Sequence, residues 1–271
     1  MEAMRSWWKW AGVGLLVVTA GRLAGEPAAA AARQYDTYVA GVEQRLEREH
    51  RTAAGFPTHR AMGLRDEWGT RRGEVVVEKL GPAGDPPGAM LHHWRARAFV
   101  RGARAADLER VLRDVAAYPR MYAPQVERAR VTAAQGDKLR TTMRVRQKHV
   151  LTVVMDTDYD VEFGRVDAGR GWCWSRSTRV AEISSPGGAR ERALGPGEEH
   201  GFLWRQNTYW SWAEADEGLY LELESVTLTR AIPTGLGWAV GPFVESVPRE
   251  SLEFTVRATA AAVKQGVGNR D

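Results

Sequence analysis

Residues 218–263 read GLYLELESVTLTRAIPTGLGWAVGPFVESVPRESLEFTVRATAAAV, and this stretch decides the fold. Over 218–230 the pattern has period two, with Glu222 and Glu224 on one face, which marks a strand. Further on the period lengthens. Leu252, Val256, Thr259, Ala260 and Val263 form a stripe at helical spacing, and Phe254, Ala258 and Ala261 widen it. So broad an apolar face must be buried. Pro248 marks the start of this helix or a kink within it. Gly235, Gly237 and Gly241 lie between strand and helix, where a dinucleotide loop would be. The third Gly comes one residue late and no parallel βαβ unit surrounds it, so the segment reads as a hinge into the helix.

Upstream, period two persists from residue 126 to 230. Candidate strands are 126–133, 138–148, 150–163, 171–183, 202–213 and 218–230, with turns at 136–137, 167–169 and 216–218. The connections are too short for crossover helices, so the strands pair antiparallel. Residues 185–200 form the long irregular loop of the series. Before it, His92, Trp94, Ala96, Ala98 and Val100 alternate with His93, Arg95, Arg97 and Arg101 as a half-buried strand. A helix follows that Asp107 can cap, with Leu108, Val111, Leu112 and Val115 on one face, and Tyr118-Pro119 stops it. This order gives an α+β fold: a curved antiparallel sheet gripping a long C-terminal helix, with a cavity expected between them. An N-terminal helical and extended addition precedes it: a helix over 35–54 carrying Tyr35, Tyr38, Val42 and Leu46, and a strand over 74–80. The expected division is 1–32, 33–89, 90–265 and a tail at 266–271.

Residues 1–32 have the layout of a secretory signal: Arg5 and Lys9, the apolar run 11–20, then an alanine tract at 28–32 with Ala-x-Ala sites. The alternative is a retained membrane anchor, although Lys9 and Arg22 interrupt its apolar stretch. Either reading places the protein outside the cytoplasm, periplasmic or secreted. Cys173 is the single cysteine, so no internal disulfide forms. Flanked by Trp172 and Trp174, it reads as a small buried apolar residue rather than a nucleophile. The net charge of +4 is spread without a basic block, which gives no footprint for nucleic acid.

Three segments carry a resemblance: 112–124 (LRDVAAYPRMYAP), 202–212 (FLWRQNTYWSW) and 226–249 (VTLTRAIPTGLGWAVGPFVESVPR). With the element order, they make residues 90–265 resemble the START-like, polyketide-cyclase-like (helix-grip, SRPBCC) superfamily, in an exported bacterial branch. The resemblance implies the fold and an internal cavity. It does not choose among the lipid carriers, receptors, cyclases and oxygenase domains that share the architecture.

The residues themselves offer few catalytic patterns. Asp156, Asp158 and Asp160 share one strand face, but Val161 stands where an EF-hand needs Gly, so they read as a solvated face. His92 and His93 are adjacent and point to opposite faces. Glu198, Glu199 and His200 sit in the long loop. No Ser-His-Asp spacing and no Gly-x-Ser-x-Gly elbow is present. Neither metal nor cofactor is expected. The tryptophans are the stronger signal: Trp204, Trp210 and Trp212 read as one strand face, Trp172 and Trp174 as another. Trp94, Trp174, Trp204, Trp210, Trp212, Trp238, Phe243, Leu252 and Val256 are the candidate lining of a ligand cavity. His92, Glu224 and Arg249 are the candidates for its polar end, since an inward charge must be paired or functional. The leading functional expectation is binding or carriage of an apolar molecule, such as a lipid, hopanoid or quinone-like compound, with a membrane surface as a further contact. A cyclase-like enzyme acting on an aromatic or polyketide-type substrate, and a non-catalytic envelope interaction protein, are the alternatives.

Overall fold

The computed structural model describes residues 26–52, 55–56, 73–82, 84–148, 152–195, 197–215, 217–232 and 237–268, with backbone alone for 237–245. At the centre lies β9 (Gly218–Arg230), flanked by β2 (Ala89–Arg101) and β8 (Arg205–Ala215). The sheet continues beyond β2 to β1 (Val76–Lys79). Beyond β8 it runs through β6 (Arg170–Ser184), β5 (Thr152–Arg165) and β4 (Lys138–Lys148) to β3 (Val126–Gln135). Every pairing is antiparallel, and the two-residue β7 (Arg192–Ala193) pairs with β6 alone. The expected strands are all present, shifted by a few residues at their ends.

Three helical segments join β2 to β3, the middle one a single 3-10 turn at Val115–Ala117. The first, α2 (Ala105–Arg113), is not capped by Asp107 directly; Asp107 occupies its third position and accepts the Arg104 N–H at 2.9 Å. Tyr118 and Pro119, expected to stop it, instead open the single turn α3 (Tyr118–Met121), because a proline is tolerated in a first helical turn.

The final helix, α4 (Gly237–Gly268), covers one face, hereafter the inner face. It begins well before Pro248, which lies inside it. Leu252, Val256 and Val263 pack there against Leu219, Leu221 and Leu223 of β9, Trp210 and Trp212 of β8, and Ala96 and Ala98 of β2. Leu108 and Leu112 of α2 close the same core. The Trp212 ring lies over Gly171 on the next strand, where a Cβ would come within 2.6 Å of it, so only glycine permits this packing. Near the end of β2, a Cβ on Gly102 would meet Val267 at 3.6 Å. The last turn of α4 therefore lies over the end of β2, while Ser251, nearer its middle, accepts from Gln147 Nε2 of β4 at 3.0 Å.

The outer face is covered too. Helix α1 (Ala29–His50) buries Ala31, Tyr35, Val39, Val42 and Leu46 against Leu91, Trp174, Trp204, Tyr209, Val226 and Leu228. It starts six residues earlier than expected because the alanine tract, an excellent helix former, supplies its first turn, with Ala31 wholly buried. The segment read as a signal lies outside the described residues up to residue 25. Among the described residues, no helix is long and apolar enough to cross a membrane.

Cys173 sits in the inner core, where burial pushes its thiol pKa far up. The native protein is therefore expected to leave a thiol-reactive reagent unconsumed over hours and to react fully once unfolded. Rapid native labelling would contradict this packing.

Candidate functional site

The register sorts the inner face into rows that run across the strands. Two rows are almost wholly apolar: Phe163, Cys173, Trp210, Leu223 and Ala96 in one, and Gly171, Trp212, Leu221 and Ala98 in the next. These lie toward the second half of α4. On the opposite side, toward the start of β2 and the end of β9, the composition changes. One row reads Val161, Ser175, Thr208, Ser225 and Trp94. The next reads Tyr159, Ser177, Gln206, Thr227 and His92, with the Gln206 N–H donating to Ser177 Oγ at 2.9 Å and Tyr159 Oη to Gln206 Oε1 at 2.8 Å. From β5 to β2 these rows carry no Asp, Glu, Lys or Arg, but the first continues onto β1 at Lys79, which pairs with Trp94 and holds its Nζ 5.8 Å from the Trp94 ring centroid.

Trp94 Nε1 and Thr227 Oγ1 are both buried and have no hydrogen-bond partner. Trp94 faces Ser225 across the β2–β9 pair, and Thr227 is two residues further along the same face, so they are diagonal neighbours. An unsatisfied buried polar group costs about 1–3 kcal/mol. Two at one place, in the hydroxyl-rich half of the face, mark a position where a partner from outside the chain would be welcome. His92 is buried beside them, its Nε2 3.3 Å from Thr229 Oγ1.

A second polar cluster lies on the outer face, beneath α1. The Glu224 carboxylate is fully buried. His93 Nε2 donates to it at 2.8 Å, Arg95 Nε and Nη2 at 2.9 and 2.6 Å, and Arg45 Nη2 of α1 completes the set. With the His93 proton placed on Nε2 by Glu224, Nδ1 accepts the Tyr38 hydroxyl at 2.9 Å. Burial opposes ionisation of Glu224, but the His93 hydrogen bond and the Arg95 and Arg45 charges outweigh it and hold the carboxyl well below the usual range. Beside it, Glu222 accepts from Arg97 Nε at 2.6 Å, yet burial leaves its pKa raised. Further along α1, Glu43 accepts from Arg176 Nε at 2.7 Å and from the Tyr209 hydroxyl at 3.0 Å. The charged groups of this cluster pair with one another and so fasten α1 to the sheet, although Trp174 Nε1, buried on the same face, has no hydrogen-bond partner.

The residues singled out from sequence are thereby divided. His92 and Trp94 reach the polar rows of the inner face. Trp210, Trp212, Leu252 and Val256 are also on that face, in its packed part. Trp174, Trp204 and Glu224 lie on the outer face under α1. Trp204 does not share a face with Trp210 and Trp212, because β8 begins at Arg205 and the alternation does not extend back to it. Arg249 is exposed on α4. The side chains of Trp238 and Phe243 lie outside the described residues. Thr227, Ser225, Thr208, Gln206 and Tyr159 were missed. Their signal was small polar residues recurring at every second position, in phase with Trp210 and Leu223.

Elsewhere, Asp156, Asp158 and Asp160 pair with Arg144, Arg179 and Arg140 at 2.7, 3.6 and 3.2 Å, and among the described residues no metal-holding group of three His, Cys, Asp or Glu occurs. In the long loop, Glu182 accepts the backbone N–H groups of His200, Gly201 and Phe202 at 2.9–3.0 Å and so pins residues 200–202.

An antiparallel sheet in the order β2-β9-β8-β6-β5-β4-β3 that grips a long C-terminal helix is the α+β helix-grip architecture expected from the sequence. No protein-family model matches the chain, and no curated protein matches it. Among solved structures, it is similar to the protein TTHA0849 from Thermus thermophilus, at 17% identity over 64% of this chain and 97% of that one, with a TM-score of 0.45. It is also similar to a STAR-related lipid transfer protein fragment from Xanthomonas axonopodis (16%, 69% and 98%, TM-score 0.44). A third is the Zhui aromatase/cyclase from a Streptomyces species (17%, 66% and 95%, TM-score 0.41). At this distance the likenesses do not bear on function.

Proposed function

We propose that this protein binds and carries a mainly apolar small molecule, outside the cytoplasm, between the inner face of the sheet and α4. The supporting observation is the pair of buried, partnerless polar atoms, Trp94 Nε1 and Thr227 Oγ1, set beside a wall of Trp, Leu and Ala. An apolar body would rest on that wall, and a polar group would meet the pair. An acid–base enzyme on the same face would depend on His92, because Glu224 is committed to α1 and Arg249 faces solvent.

Native mass spectrometry of the purified protein, with organic extraction, tests the proposal. The expected result is a defined apolar molecule retained in native spectra and released on denaturation. A protein that emerges empty and takes up neither lipids nor quinones would overturn it.

A further inference from the structure

The end of the sheet where β2 begins and β9 finishes brings three features together. The first is Phe202, which is 40% exposed and is held that way from two sides. Glu182, itself buried, accepts the backbone N–H groups of His200, Gly201 and Phe202 and the His200 Nδ1–H at 2.8–3.0 Å. Gly201 has φ +79°, and a Cβ there would come within 2.9 Å of the Trp204 ring and the Arg230 side chain, so only glycine fits. A buried carboxylate, costly unless its acceptors are filled, thus fixes a loop whose apolar side chain meets solvent. The second feature is the entry of α1. Its Ala31 shares a cluster with Trp204, Leu91 and Leu228, and Glu199, whose carboxyl burial raises, also feels the Glu26 charge. Upstream the sequence carries the apolar run 11–20, and the residues between that run and Glu26 span at most about 22 Å. The third is the placement of the polar rows: Ala89 pairs with Arg230 and His92 with Thr227, so these rows lie a few residues from the same end.

We infer that this end of the molecule seats on a lipid bilayer, with Phe202 as its apolar contact. A bilayer that holds the run 11–20 meets the chain at this end. Charges of both signs surround the contact: Arg33, Arg205 and Arg230 against Glu26, Asp36 and Glu199. Attraction to anionic head groups is therefore not its source, and the contact holds on zwitterionic lipid and in high salt. Interfacial apolar groups rest about 5–10 Å into the boundary between head groups and acyl chains. Seated so, the protein turns the polar rows of its inner face toward the lipid, but the contact itself does not depend on what those rows bind.

The test is a nitrobenzoxadiazole label attached in the full chain to Phe202→Cys and, separately, to Val166→Cys. Val166 is 42% exposed and lies in the β5–β6 turn at the opposite end of the sheet, and buried Cys173 does not compete for the label. Both variants lose an exposed apolar side chain and carry the same dye, so the dye's own affinity for lipid is common to the two. With phosphatidylcholine vesicles bearing brominated acyl chains, the label at 202 is expected to shift to the blue and lose more than half its emission. The label at 166 should be unchanged, and both results should be the same in low and high salt. Equal responses at the two positions, no response at either, or a response at 202 that disappears in high salt would overturn the inference. None of these outcomes touches the carrier reading, which native mass spectrometry tests without vesicles.

Discussion

Glu224→Ala is expected to destabilise the fold by about 3–5 kcal/mol, the typical cost of breaking a buried ion pair by removing one partner. The carboxylate is the common acceptor for His93, Arg95 and Arg45, and its side chain is only 1% exposed. Its removal takes the acceptor from His93 and leaves Arg95 and Arg45 with only their remaining partners, Glu78, Glu222 and Glu49. Glu224→Gln keeps the shape and one acceptor oxygen, so it should cost less while still leaving the arginines underpaired. Urea denaturation at neutral pH measures both, and hydrogen exchange should show the loss concentrated in α1, which Arg45 ties to the sheet. Because the carboxyl pKa is depressed in the fold, its contribution is present above the unfolded value of 4.5 and is lost as pH falls below it. A destabilisation under about 1 kcal/mol, the range of surface pairs, would show that α1 does not depend on this cluster.

The second large effect concerns His50, at the end of α1. Its ring stacks on Phe56, with centroids 4.9 Å apart, and lies parallel to Trp172 at 6.1 Å, while Nε2 meets Ser211 Oγ at 2.9 Å. Burial, reinforced by the Arg45 charge and partly opposed by Glu224, lowers its pKa from 6.5 to about 4. The unfolded chain therefore binds a proton that the folded one refuses between these values. The stability that neutral His50 contributes is complete above pH 6.5 and is lost as pH falls toward 4, an effect of about 3 kcal/mol at 1.36 kcal/mol per unit. Glu222 and Glu199, whose pKa values burial raises, act in the opposite sense over part of this range. Comparison with His50→Gln isolates the histidine: the variant should be less stable at neutral pH but show a flatter decline on acidification. Identical pH profiles for variant and parent would contradict the burial of a neutral imidazole.

Both predictions concern α1, and α1 is where the sequence was hardest to read. Its apolar stripe, Tyr35 to Leu46 at helical spacing, was plain, and so was the strand pattern that puts Glu222 and Glu224 on one face. Their meeting was not. Arg45 and Glu224 are 179 residues apart, and nothing local indicates that the outer face of the sheet carries a helix. A buried carboxylate was expected to point into the cavity, because that was the one covered face the reading provided. With both faces covered, burial no longer tells inside from outside.

Period two and period 3.6 are consequences of backbone geometry acting over a few residues. From them the sequence determined the strands, their antiparallel pairing, the gripping helix and the α+β class. It also determined that His92 and His93 point opposite ways. Alternation assigns each residue to one of two faces but does not say which residues of different strands stand side by side. That depends on register, which the turns and the shift in the β5–β6 pair between Asp158 and Tyr159 set across the whole sheet. Only the tertiary structure could therefore align Ser175, Thr208, Ser225 and Trp94 into one row, bring Thr227 beside Trp94, and put Glu224 under α1. Side-chain direction is fixed by the chain's immediate neighbours, whereas the company a side chain keeps is fixed by segments far away in sequence.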